Sequence, residues 1–153
     1  MSPLNLPPFE AKIIRRNETP HIFDTIRNKY VALTPEEWVR QHFVHYLTGH
    51  LEYPQGLIAN EVVISLNNNK KRCDTVVYNR QLAPMVLIEY KSPDVAITRE
   101  TFRQITRYNM VLKVPLLMVS NGLEHYCCWI KYDEDKVEFL EQIPHYSEVS
   151  TFL

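Results

Sequence analysis

The stretch Pro84-Met85-Val86-Leu87-Ile88-Glu89-Tyr90-Lys91 constrains the fold most. Its first half is continuously apolar, as a strand covered on both faces should be. A carboxylate and an ammonium follow, two residues apart. They project from the same face where the buried strand ends. Charged groups there are costly unless they are paired or bind something. Ser92-Pro93-Asp94 then breaks the strand.

The surrounding elements follow from caps and periodicity. Thr34-Pro35-Glu36-Glu37 is a helix start: Thr34 accepts from first-turn amides, Pro35 suits the first helical position and Glu37 can close a capping box. Val39, Phe43, Tyr46 and Leu47 then share one apolar face, and Gly49 is the expected stop. Glu61 to Leu66 reads as a strand, Asn67-Asn68-Asn69-Lys70-Lys71 as a turn and Cys73 to Tyr78 as the return strand. Thr98 caps a second helix running to about Lys113, before Val114-Pro115. Leu116 to Ser120 is another apolar strand, and Asn121-Gly122 a turn. His125–Tyr132 and Lys136–Leu140 complete the strands. Residues 1–33 are Pro-rich and irregular, with short strands only at Phe9–Arg15 and His21–Asp24. A meander followed by a helical crossover implies a mixed central sheet flanked by helices, an α/β (α+β) class, in one domain spanning residues 1–153.

Composition narrows the setting. The 153 residues, 45% hydrophobic with 3 glycines, suit one globular domain. A formal net charge of −1 counts mildly against a DNA role, so any nucleic-acid contact must come from a local patch. Cys73, Cys127 and Cys128 form no C-x-x-C pair, which favours free thiols in a reducing cytoplasm over zinc or disulfides. The first residues lack a secretory pattern. No run approaches the roughly 20 apolar residues of a membrane span.

Chemistry concentrates at three residues. Asp74 opens the strand before Glu89 and Lys91. It can meet Glu89 only if that strand bends or twists across the next. Two carboxylates would then supply hard oxygen ligands for Mg²⁺, leaving room for water and a phosphate. The lysine would orient the attacking water and face the charge that develops. A plain ion pair at a strand end is the competing reading of Glu89 and Lys91.

Arg72-Cys73-Asp74, Ile88-Glu89-Tyr90-Lys91 and Gln104-Ile105-Thr106-Arg107-Tyr108-Asn109 together resemble the PD-(D/E)XK nuclease superfamily. More closely, the chain from about Tyr30 to Pro144 is similar to the N-terminal nuclease domain of the type I restriction enzyme R subunit. Leu33 to Gln41 and Val119-Ser120-Asn121-Gly122 belong to the match. Cys73 stands where the superfamily's name has proline.

The resemblance implies a restriction-endonuclease-like αβββαβ core and Mg²⁺-dependent DNA cleavage, with Mn²⁺ as a substitute, in restriction, defence or repair. Asp74 and Glu89 become the metal ligands and Lys91 the catalytic lysine. A first-helix glutamate often joins such sites. Phase favours Glu36, beside Val39, with Glu37 pointing away; the helix dipole accounts for Glu36 equally well. Gln104 and Tyr108 match a Gln-x-x-x-Tyr element near the site or DNA, while packing of Tyr108 and solvation of Gln104 is the alternative. No G-x-x-x-x-G-K-[ST] loop is present, so a motor or specificity subunit would be separate. Paired sites for double-strand cutting would call for a homodimer. A non-catalytic nucleic-acid-binding or partner-docking module remains the alternative function.

Lesser signals surround the trio. Lys70, Lys71 and Arg72 sit at the expected hairpin tip, and Arg99, Arg103 and Arg107 recur along the second helix. They form a basic rim for phosphates or merely solvated faces. Glu61 is a candidate third acid. His42, His45 and His50 lack a metal-binding arrangement, and Tyr126, Trp129 and Tyr132 are assigned to sheet packing.

Overall fold

A computed structural model describes residues 1–66 and 68–152. Its centre is a six-stranded sheet: β4 (Ile58–Leu66), β5 (Asn69–Tyr78), β6 (Pro84–Tyr90), β7 (Leu116–Ser120), β8 (His125–Lys131) and β9 (Lys136–Leu140). Spatial order follows chain order. Only β6 and β7 run parallel, because a helix, α2 (Arg99–Met110), crosses between them. With α1 (Pro35–His50) before the strands, the order is αβββαβ in a mixed α+β fold.

The apolar run behaves as its pattern demands. Val86, Ile88 and Tyr90 pack into one core with Val39, Phe43 and Leu47 of α1. Leu87 points the other way, into a second core with Phe102 and Ile105 of α2. Helices therefore cover both faces of β6. Three further strands form a separate antiparallel sheet: β1 (Ile13–Arg16), β2 (Thr19–Asp24) and β3 (Lys29–Ala32). This order within the expected irregular extension turns on Asn17 and Glu18, both left-handed at φ 50 and 65. They make a two-residue hairpin turn, which glutamate does not advertise.

Element ends differ in instructive ways. Thr34 caps α1 by accepting from the Glu37 amide at 3.0 Å, as its position suggested. The helix runs through Gly49, and Leu51 closes it by donating to the Leu47 carbonyl at 3.2 Å. The expected turn over residues 67–71 lies partly outside the described residues, at Asn67. Strand β5 already begins at Asn69, so Lys70, Lys71 and Arg72 are strand residues. β4 begins three residues before Glu61, at Ile58.

The register brings the two acids together. Thr75 of β5 pairs with Ile88 of β6, so the next step sets Asp74 opposite Glu89. No bend across the sheet is needed, contrary to the sequence argument. In an antiparallel pair, the early part of one strand lies beside the late part of its neighbour. The turn after β7 anchors this end. Gly122 is left-handed, and its carbonyl accepts from the Asn5 amide at 2.8 Å. A Cβ there would meet Leu4 at 2.8 Å and Val39 at 3.1 Å. Gly122→Ala is expected to lower stability by about 1–3 kcal/mol in urea unfolding; an unchanged midpoint would contradict this close approach.

Candidate active site

Asp74 and Glu89 face each other across β5 and β6, close enough for the Asp74 carboxylate to raise the Glu89 carboxyl. Asp74 is also fixed from behind: its Oδ2 accepts from the Tyr90 backbone amide at 2.9 Å. Glu89 is half-buried and points to the α2 side, toward Asn109, whose side-chain amide donates to the Ile105 carbonyl at 2.9 Å. Burial first, and then the Asp74 carboxylate, push the Glu89 carboxyl up to about 8. The Lys91 ammonium and Asn109 oppose this without cancelling it. Lys91 follows on the same strand face, its backbone amide bound to the Ser120 carbonyl at 2.9 Å. Two carboxylates forced together, with an ammonium alongside, form a donor set suited to a hard divalent cation. Among the described residues no group of three or more His, Cys, Asp and Glu side chains forms a larger cage. Two protein ligands leave most of an octahedral shell for water and phosphate oxygens.

A buried ionic chain supports Asp74 from the opposite side. Glu37 accepts from Arg27 and Arg40, both at 2.9 Å, and from Gln41 at 2.9 Å. Arg40 continues to Glu61 at 2.8 Å and to the Asp74 carbonyl at 2.7 Å. Glu61 also takes Arg72 at 2.8 Å. Burial alone would raise Glu37 and lower Arg40. Their mutual bonds overcome it, holding the carboxyl down and the guanidinium up. Glu61 is the irregular point of the ladder. Its φ is 54, and the strand register passes from Asn60↔Thr75 to Val62↔Cys73 across it. Left-handed glutamate inside a strand is strained, and such strain persists where surrounding contacts enforce it. On the same side, Tyr90 donates to Thr75 at 2.9 Å and Thr75 to Asn60 at 2.7 Å.

The other candidates are distributed unevenly. Glu36 is exposed in the first turn of α1, whereas Glu37 is buried. This reverses the phase argument, because Arg27 and Arg40 draw Glu37 inward. Glu37 is the first-helix acid tied to Asp74, through Arg40. Tyr108 is exposed, and Lys71 Nζ lies 4.2 Å from its ring, close to the start of β5. Gln104 is exposed one turn earlier. Arg103 and Arg107 line one groove of α2 with Arg99, Glu100 and Gln104, and a second with Phe102, Met110, Val137 and Phe139. The three cysteines are buried and unpaired, with thiols raised by burial. His45 stacks on Phe9, and His42 meets the same ring edge-on. Among the described residues no helix is long and apolar enough to cross a membrane.

Comparison with known proteins gives the class first. A solved fragment assigned as an HsdR subunit of a type I restriction enzyme, from Vibrio vulnificus YJ016, superposes with a TM-score of 0.55 at 17% identity. The match covers 78% of this chain and 25% of that one, and shows a common fold. Comparison with curated proteins gives no match. Residues 35–144 match the family model for the type I restriction enzyme R protein N terminus, and the chain belongs to that family. It is therefore a nuclease-related domain of the restriction type.

Two outcomes follow from this geometry. Removing Arg40 takes one of two arginines from buried Glu37 and from Glu61 and leaves the Asp74 carbonyl without its donor, so Arg40→Leu is expected to cost about 2–3 kcal/mol in urea unfolding. A loss below about 1 kcal/mol, the scale of an exposed pair, would contradict the buried chain. The Glu89 carboxyl binds its proton more tightly folded than unfolded. Its contribution is thus full below its ordinary value of 4.5 and is lost as pH rises through about 8. In metal-free protein at pH 9, Glu89→Gln is expected to exceed wild type by at least about 1 kcal/mol, with no such gain at pH 4. Equal pH profiles for the two proteins would contradict the repulsion.

Proposed function

We propose that this domain is a divalent-metal-dependent DNA endonuclease. The opposition of Asp74 and Glu89 across β5 and β6, with Lys91 two residues on, carries the reading. Asp74 and Glu89 would hold Mg²⁺, and Mn²⁺ in its place. Such an ion, when bound, acidifies a water and draws charge from a phosphate.

The protein's residues supply the rest. Tyr90 fixes one Asp74 oxygen through its backbone amide, so the carboxylate cannot swing away. Arg40 holds the Asp74 backbone from the α1 side. Lys91, on the face of Glu89, orients the attacking water and places positive charge beside the phosphate as negative charge accumulates. Burial of Glu89 strengthens these interactions by lowering the local dielectric. Arg72, Gln104 and Tyr108 contribute to holding the nucleic acid near the trio. Arg103 and Arg107, which share a groove of α2 with Gln104, extend the same substrate-binding rim.

The chain spans a quarter of the length of the solved relative. These 153 residues contain no phosphate-binding loop for ATP, so DNA translocation is not a task of the residues described. Cutting both strands needs two such sites, supplied by a second copy or by successive events. The reading places the domain in the cytoplasm, with reduced thiols.

Supercoiled plasmid provides the test. With Mg²⁺ or Mn²⁺ the purified chain should nick it, and Lys91→Ala should lower the rate by about 10²–10³-fold, the scale of losing one transition-state donor. The melting temperature should hardly change, because the Lys91 side chain is only half-buried. Gel-shift binding without cleavage, and without response to Lys91→Ala, would instead support a non-catalytic binding module.

A further inference from the structure

We propose that the open face of the β4–β5 hairpin is a duplex-DNA docking ribbon that enters the major groove beside the Asp74–Glu89 pair. The proposal rests on the nuclease reading for its substrate class, and its test is independent of cleavage.

The ribbon extends beyond the sheet. Strand β5 pairs with β6 only from Thr75 onward, whereas its pairing with β4 continues to Asn69. Residues 62–66 and 69–73 thus form a two-stranded arm. Its faces are unlike. Ile64 and Cys73 are buried against the α2 core, and Lys71 rests over the Tyr108 ring. That side braces the arm on α2. The other face pairs Val63 with Arg72 and Ser65 with Lys70, all four exposed. It presents two cations, a hydroxyl and a β-branched apolar side chain.

Charge selects the occupant. The whole chain carries −1, yet residues 62–66 and 68–73 contain Lys70, Lys71 and Arg72 and no acid. Glu61, at the root of the arm, is already taken by Arg40 and by Arg72. Two Arg72 nitrogens meet one Glu61 oxygen, at 3.0 and 2.8 Å, which orients an otherwise exposed guanidinium. An arm that is basic, narrow and braced on one side fits a polyanion with a wide groove. The major groove of B-form DNA admits a two-stranded ribbon. The deep, narrow major groove of an RNA duplex does not. Arg72 lies two residues before Asp74 on the face turned away from α2, so it anchors the duplex at the root of the arm and does not itself hold the phosphate over the acidic pair.

Binding is measured by fluorescence anisotropy in the Lys91→Ala background without divalent metal, so loss of cleavage cannot be mistaken for loss of docking. The probes are a DNA duplex and an RNA duplex of matched sequence. The combined Lys70→Ala and Arg72→Ala changes should weaken DNA binding at least about tenfold. They should reduce the slope of log K against log salt by about 2, one per phosphate contact. Exposed Lys29→Ala with Lys136→Ala should change neither. DNA should bind at least about tenfold tighter than RNA, because only its groove admits the arm. Should Arg72→Ala unfold the protein by freeing Glu61, Lys70→Glu with Ser65→Glu keeps that pair and must weaken binding equally. Unchanged affinity and slope, an equal effect from the distant lysines, or equal affinity for RNA would overturn the proposal.

Discussion

Two carboxyl groups of like charge are held face to face on neighbouring strands, and the rest of the molecule is arranged around that repulsion. In water such a pair would separate. Here Thr75↔Ile88 register sets Asp74 beside Glu89, the Tyr90 amide pins one of them, and burial removes the solvent that would screen them. Only a proton or a cation relieves the arrangement. A site that keeps an unfavourable charge arrangement in the folded state stores affinity for whatever neutralises it.

The fold opposes that repulsion from two directions. Strand β6 is buried on both faces, so neither helix can shift without opening a core. On the α1 side the path from Glu37 through Arg40 reaches the Asp74 backbone, and a left-handed Glu61 lies between Arg40 and Arg72. The strain at Glu61 and the charge pairing around it are one structure: the irregular backbone position accompanies a carboxylate bridging the buried arginine to the exposed one. The N-terminal sheet joins the same path through Arg27, which meets both Asp24 and Glu37.

The strand of continuous apolar residues, the capped helix at Thr34 and the crossover between β6 and β7 were legible because each has a local signature: unbroken hydrophobicity, a hydroxyl acceptor and a parallel pair that needs a connection. The trio Asp74, Glu89 and Lys91 was legible by spacing. Their closeness was not credited to its cause, since it depends on which residues pair across two strands, and an assumed bend replaced the antiparallel register. Glu36 and Glu37 differ in helical phase by 100°, but Arg27, ten residues earlier and outside the helix, joins Arg40, one turn further along it, in deciding which is buried. Long-range charge pairing leaves no periodic trace. The Asn17-Glu18 turn escaped for a related reason: Asn17 suits a left-handed position, but the paired strands impose the same shape on Glu18, which does not favour it.

The proposal that Asp74 and Glu89 share a cation is tested most directly by crystals of the Lys91→Ala protein grown with Mn²⁺ and examined at a wavelength where manganese scatters anomalously. A peak bridging the Asp74 and Glu89 carboxylates is expected, and it should vanish in the additional Glu89→Gln variant. Occupied manganese elsewhere with none between the two acids would contradict the site.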